Sequence, residues 1–266
     1  NTNASTILGD KIDSLKTEIS LLNSNTIEKG KLYSQLANLY SKQENFTDAK
    51  SNNLKALEIF NGLKAHVNST KVLLDLAMNY DRSNQFDIAI EYSYKALDEL
   101  DLIKNELKKE DFDFRKGMIF MNMGVIYGQI NNNSESLKLL TNANQLLLKS
   151  NPFYRAVCQE NLGNAYSEIK DYGNAISNFN NALKYYIKNK VEPQLISNTL
   201  NNIGNIYVAL EEYYKALNTY KRALTYIDNE EIYLSEKTGI LNSIGNVYID
   251  LDSLELAKIF LDKSLN

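Results

Sequence analysis

Few side chains in this sequence could do chemistry. Its single histidine, His66, and single cysteine, Cys158, exclude a histidine-cluster metal site, a cysteine zinc cage and an intramolecular disulfide. His66 reads as an ordinary boundary residue and Cys158 as a small packing residue on a helix. Asp111 and Asp113 form a D-x-D pair, but only charged linker surrounds them. There is no phosphate-cradling glycine loop, no Ser/His/Asp set and no pair of acids in a recognisable frame. The sequence therefore predicts no catalytic residue, no metal, no cofactor and no enzyme. The strongest polar cluster is Asn198, Asn201, Asn202 and Asn205, echoed by Asn161 and Asn164 and by Asn242 and Asn246. Each amide carries donors and an acceptor. Such side chains could be solvated in a chain with 36 asparagines, tie neighbouring helices together, or contact a ligand. Asn3, Asn45, Asn68 and Asn132 head N-x-S/T triplets, which chance supplies in so asparagine-rich a chain.

The elements that must position these residues follow from composition. The 266 residues are 44% hydrophobic and 23% charged, with 11 glycines and 2 prolines, a balance that builds an ordered core and not a disordered tract. The net charge of −4 disfavours nucleic acid, whose phosphates demand a basic footprint. No apolar run approaches the roughly 18 residues of a membrane span, so no direct membrane insertion is expected. Both prolines fall at first helical positions, after Asn151 and after Glu192, and leave the helices uninterrupted.

One template recurs six times. A small residue stands at Ala37, Ala77, Gly124, Gly163, Gly204 and Gly245. Three residues on comes Tyr40, Tyr80, Tyr127, Tyr166, Tyr207 or Tyr248. Twelve past the small position lies Ala49, Ala89, Ser136, Ala175, Ala216 or Ala257, and seven further Ala56, Ala96, Ala143, Ala182, Ala223 or Ser264. The spacing predicts antiparallel pairs, helix A then helix B, broken at polar turns such as Lys170-Asp171 and Glu211-Glu212. The small residue would let a neighbouring backbone approach, and the tyrosine would fill the gap between layers. No hairpin can bury its stripe alone, so neighbours must stack.

This pattern resembles the tetratricopeptide repeat family, most fully at Leu162-Gly163, Tyr166, Ala175, Phe179 and Ala182. Ile203-Gly204, Tyr207, Ala216, Tyr220 and Ala223 match nearly as well. The family's early tryptophan and closing proline are missing, and the steps of 39 to 47 residues resemble its long-repeat subset of about 40–42 residues. The resemblance implies an all-α, right-handed superhelical solenoid of antiparallel helix pairs. Six repeats are expected over 26–64, 67–105, 111–149, 152–189, 193–228 and 231–266, together spanning 26–266. Residues 1–25 form an N-terminal capping helix, with Ile7, Leu8, Ile12, Leu15, Ile19 and Leu22 on one face. The 47-residue step carries a charged insert, Lys104 to Gly117, expected to be a hinge or a protruding helix. The last template residue, Ser264, has no polar closing helix after it, so the chain reads as a fragment of a longer protein.

In the proteins it resembles, the helix-A stripe opposite the buried one lines a concave, peptide-binding groove. Residue by residue, that implies Asn38, Lys71, Met78, Arg82, Met121, Glu160, Asn164, Asn198, Asn201, Asn205, Asn242 and Asn246 as contacts. Such a groove runs from basic through methionine-rich to an asparagine ladder, although Met118, Met121 and Met123 equally fit packing. The clamp that chaperone-binding members use for a terminal dicarboxylate is absent: Asp75 stands where asparagine is wanted, and Met118 and Asn122 where cations are. The implied function is a non-catalytic protein- or peptide-binding module or scaffold. The alternative is a sensor or dimerisation region of a larger bacterial signalling protein, such as a repeat-containing histidine kinase or transcription regulator. A homodimer and either a cytoplasmic or a bacterial periplasmic location are left open.

Overall fold

The computed structural model describes residues 2–227 and 231–265, with side chains from Leu8 onward and not at Glu231. Ile7 of the expected apolar face, and Asn1, Asp228 and Asn266 of the expected boundaries, therefore fall outside the described side chains. Among the described residues there are thirteen α-helices, one 3-10 turn and no strand. They divide into two compact units, Asn1–Ser150 and Asn151–Asn266.

The first unit holds α1 (Thr2–Leu21), α2 (Ile27–Lys42), α3 (Phe46–Gly62), α4 (His66–Arg82), α5 (Phe86–Leu102), α6 (Lys109–Gln129) and α7 (Asn133–Ser150). Helices α2, α4 and α6 are the A helices; α3, α5 and α7 are their B partners. Ile12 and Ile19 of α1 pack on Leu32 and Leu36 of α2. Ala56 and Phe60 of α3 meet Val72 and Leu76 of α4, and Ala96 and Leu100 of α5 meet Ile119 and Met123 of α6, so α3 and α5 are each sealed by the next A helix. The charged insert runs into the start of α6. It lengthens α6 at its start to 21 residues, and Phe112 anchors that extension among Leu100, Ile103 and Ile119. Its lysines lie over the same ring, Lys104 and Lys116 at 5.9 and 5.6 Å from the centroid of Phe112. The division between the units falls at Ser150 and Asn151, well past the insert.

The second unit holds the A helices α8 (Pro152–Glu168), α10 (Pro193–Ala209) and α12 (Leu234–Asp250), and the B helices α9 (Tyr172–Lys188), α11 (Tyr213–Ile227) and α13 (Leu254–Leu265). The turn Glu231–Tyr233 precedes α12. One continuous core runs through it, from Ala156 through Phe179, Tyr186, Ile203 and Tyr220 to Ile244.

All six A-to-B turns share one backbone solution. Glu44, Asn84, Asn131, Lys170, Glu211 and Asp252, each seven residues past the small position, have φ between 53° and 61°. The next residue's N–H then donates to the carbonyl of the template tyrosine, as Asp171 does to Tyr166 at 2.9 Å and Glu212 to Tyr207 at 2.8 Å. This is the left-handed exit that satisfies a helix's last carbonyls. Asn45 and Asp171 also cap their B helices, accepting from the N–H groups of Asp48 and Asn174.

The small position works differently from the sequence expectation. What approaches it is chiefly the side chain sixteen residues on, in the paired B helix, and not a neighbouring backbone. A methyl on Gly163 would stand 2.7 Å from the Phe179 ring, and one on Gly204 would collide with Tyr220. Gly124 faces Leu140 and Gly245 faces Leu261 in the same register, each at 2.7 Å. Where the small residue is alanine, at Ala37 and Ala77, the register partner shrinks to Asn53 and Ser93. Glycine therefore goes with a bulky partner and alanine with a short polar one, as conserved volume requires.

Candidate functional site

In the first unit, α1, α2 and α4 enclose a groove of about 600 Å³ whose wall includes Lys11, Lys31, Asn38, Lys71 and Asp75. A chamber of about 140 Å³ continues from it along Asn38 and Asp75 and adds Ser41, Lys42, Asn53, Met78, Asn79 and Arg82. Four of the sequence candidates, Asn38, Lys71, Met78 and Arg82, thus line one connected depression. Helical spacing does this: Lys71, Met78 and Arg82 rise along one face of α4, beside Asn38 on α2. The guanidinium of Arg82 donates to Ser41 Oγ at 3.2 Å, tying α4 to α2 at the end of the chamber.

Electrostatically the depression is a basic rim around one acid. Burial pushes the Asp75 carboxyl up to about 6, against the opposing pull of Lys71 one turn earlier. Two buried amides stand beside it. Asn53 is 1% exposed and Asn79 is 3% exposed, and neither Oδ1 has a hydrogen-bond partner. Asn79 spends its Nδ2 on the Asp75 carbonyl at 2.8 Å.

Sequence reasoning passed over Asp75, Asn53, Asn79 and the contribution of α1. A signal for Asp75 existed: it is a lone acid in the apolar run Val72 to Ala77. Nothing in the sequence marks Lys11, because only the packing of α1 on α2 brings it to the groove.

The methionine-rich segment does not continue this face. Met121 and Met123 are buried, at 9% and 1% exposure, and Met123 packs with Ile119 and Leu139. Met121 therefore has little surface to offer a ligand.

In the second unit the candidates lie on α8, α10 and α12. Glu160 accepts the Tyr186 hydroxyl at 2.9 Å; burial raises its carboxyl, while that hydrogen bond pulls it back. Asn164 and Asn202 bridge α8 and α10, with Nδ2 of Asn202 donating to Oδ1 of Asn164 at 3.3 Å. Asn205 is exposed and accepts the Tyr220 hydroxyl at 2.6 Å. Asn198 is half-buried, Asn201 has an Oδ1 that is buried without a partner, and Asn242 and Asn246 are exposed. The asparagines thus divide: Asn164 and Asn202 tie helices, Asn205 is oriented from beneath, and the α12 pair faces solvent.

Among the described residues no cluster of three or more His, Cys, Asp or Glu could hold a metal ion, and no helix is long and apolar enough to cross a membrane. Cys158 is buried, and that burial pushes its thiol up to about 12. His66 meets Glu99 at 2.8 Å, a contact between α4 and α5.

Paired helices in a fixed register, with B helices closed by the following A helix within each unit, define a helical repeat protein. The tetratricopeptide repeat model matches residues 28–98, and the model of the soluble NSF attachment protein, SNAP, matches residues 113–243. These matches support the tetratricopeptide repeat resemblance read from the sequence. No curated protein sequence matches it significantly. Among solved structures, it is similar to BtubC from P. vanneervenii, with 22% identity and a TM-score of 0.67 over 83% of this chain and 88% of that one. A Rap protein complexed with competence and sporulation factor aligns with 15% identity and a TM-score of 0.71, covering 97% of this chain and 79% of that one. A signal transduction ATPase with a tetratricopeptide repeat sensor from Pyrococcus horikoshii aligns with 18% identity and a TM-score of 0.71, over 95% of this chain but only 38% of that one. At these identities the likeness is one of fold.

Proposed function

We propose that this chain is a non-catalytic recognition module that holds a protein segment or extended peptide on the exposed face of its A helices. The observation that carries this reading is the set of asparagines along that face with hydrogen-bonding groups left over for a ligand. Asn201 keeps an unsatisfied Oδ1, Asn205 is exposed and oriented by Tyr220, and Asn242 and Asn246 are exposed. An extended peptide presents N–H and C=O groups that such amides can match. The Rap protein aligned above is itself complexed with a competence and sporulation factor, which supports a ligand on this kind of scaffold.

Binding of an extended-peptide library to wild type and to the Asn201→Ala/Asn205→Ala variant tests the reading. Peptides retained by wild type should lose roughly tenfold or more in affinity, about 0.5–1.5 kcal/mol for each hydrogen bond removed. Unchanged binding of every retained peptide removes the groove assignment.

A second reading makes the chain a sensor or dimerisation region of a larger bacterial signalling protein. Its support is the fold shared with the repeat sensor of the P. horikoshii ATPase. A stop codon shortly after Asn266 in the gene would end that reading.

A further inference from the structure

We propose that the first unit's groove takes an extended peptide in which a lysine or arginine is flanked by acidic residues, its cationic end seated against Asp75 and its flanking carboxylates held by the lysines of the rim. This rests on the reading of the A-helix face as a peptide surface and names the ligand chemistry of one part of it.

Two buried acceptors without donors meet beside the half-buried carboxyl of Asp75 in the small chamber. The Oδ1 atoms of Asn53 and Asn79 belong to side chains that are 1% and 3% exposed and have no partner. Burial raises the Asp75 carboxyl to about 6, against the pull of Lys71. A folded chain rarely leaves buried acceptors unmatched, because each costs most of its hydration. An ammonium or guanidinium is the complement, since it carries donors only and a charge that would draw the proton off Asp75. The chamber, of about 140 Å³, accommodates the end of one such side chain.

The rim sets the flanking chemistry. Asp75 is the sole acid among the residues lining groove and chamber, whereas Lys11, Lys31 and Lys71 line the groove, and the exposed Lys42 and Arg82, the latter engaged with Ser41, line the chamber. A uniformly basic peptide would be repelled at this rim. A uniformly acidic one would leave the chamber's acceptors unmatched. A cation between acids satisfies both.

Calorimetric titration of the full chain with two capped heptapeptides tests this. One has a central lysine with glutamates on both sides; in the other, norleucine replaces the lysine. The lysine peptide should bind at least tenfold more tightly. Asp75→Asn should abolish that preference while leaving the norleucine peptide within twofold, and Lys31→Glu with Lys71→Glu should weaken both peptides tenfold or more. Equal affinity of the two peptides for wild type, or a preference that survives Asp75→Asn, overturns the cationic seat. No binding of either peptide to wild type overturns the inference as a whole. Each of these failures leaves the broader reading standing, because that reading is tested by Asn201→Ala/Asn205→Ala on α10, which lines neither groove nor chamber.

Discussion

The hydroxyl of Tyr220 donates to Oδ1 of Asn205 at 2.6 Å while the ring of the same tyrosine covers Gly204. One B-helix side chain thereby fills the glycine gap in the core and fixes the amide next to it on the exposed face. With its oxygen engaged from beneath, Asn205 has its Nδ2 donors left for a ligand. Tyr220→Phe keeps the ring and deletes the tether. Peptides bound through Asn205 should weaken three- to tenfold, with a stability loss of about 1 kcal/mol. Titration alongside urea unfolding checks it; unaltered affinity would show that the tether does not orient the ligand-facing amide.

The glycine register makes a separate prediction about stability. Gly163→Ala gains about 1 kcal/mol of helix propensity but drives a methyl into the Phe179 ring, at 2.7 Å. Overpacking of this kind costs about 1–3 kcal/mol, so the variant should be net destabilised. Adding Phe179→Ser to it recreates the Ala77 and Ser93 combination and should relieve the clash. Denaturant midpoints of the two single variants and the double variant should show coupling between the sites; simple additivity would mean the two positions do not share one volume.

Asp75 predicts a pH dependence. Its folded pKa of about 6 lies above the ordinary carboxylate value of 3.8. The folded chain therefore keeps a proton that the unfolded chain has released, and stability falls as pH rises from about 4 to 6 and stays low above that. Asp81 and Glu160, raised by burial as well, act in the same direction. Asp75→Asn should stabilise the chain by about 2 kcal/mol at pH 7 and flatten the decline between pH 4 and 6. Urea midpoints at pH 4, 5 and 7 measure this, and a parallel pH profile in wild type and variant would contradict it.

The turns offer a gain unrelated to binding. Lys170 and Glu211 hold φ of 61° and 59°, where a β-carbon is disfavoured and asparagine or glycine is at home. Lys170→Gly and Glu211→Gly should each stabilise the second unit by up to about 1 kcal/mol. Asn131→Gly should do less, because asparagine already tolerates that region. Thermal midpoints would show the ordering, and equal shifts at the three sites would refute it.

How much was legible beforehand differs by feature. The pairing of helices could be read because small residue, tyrosine and alanines recur at fixed spacing, and a repeat writes its own packing rules six times over. The anchor in the insert was not legible because charge hides it: Lys104 and Lys116 surround Phe112 in sequence, and only the packing shows that ring to be buried.

By itself, the sequence determined the class of protein: helix pairs, their turns, and the faces each helix must bury, all of which follow from local periodicity and side-chain size. Tertiary structure alone decided which polar groups were left without partners. Asn53, Asn79 and Asp75 are unremarkable letters until α2, α3 and α4 close around them, and Asn205 is oriented only because Tyr220 reaches it from the paired helix. Burial and hydrogen-bond pairing depend on contacts between elements distant along the chain, which spacing within one helix cannot specify.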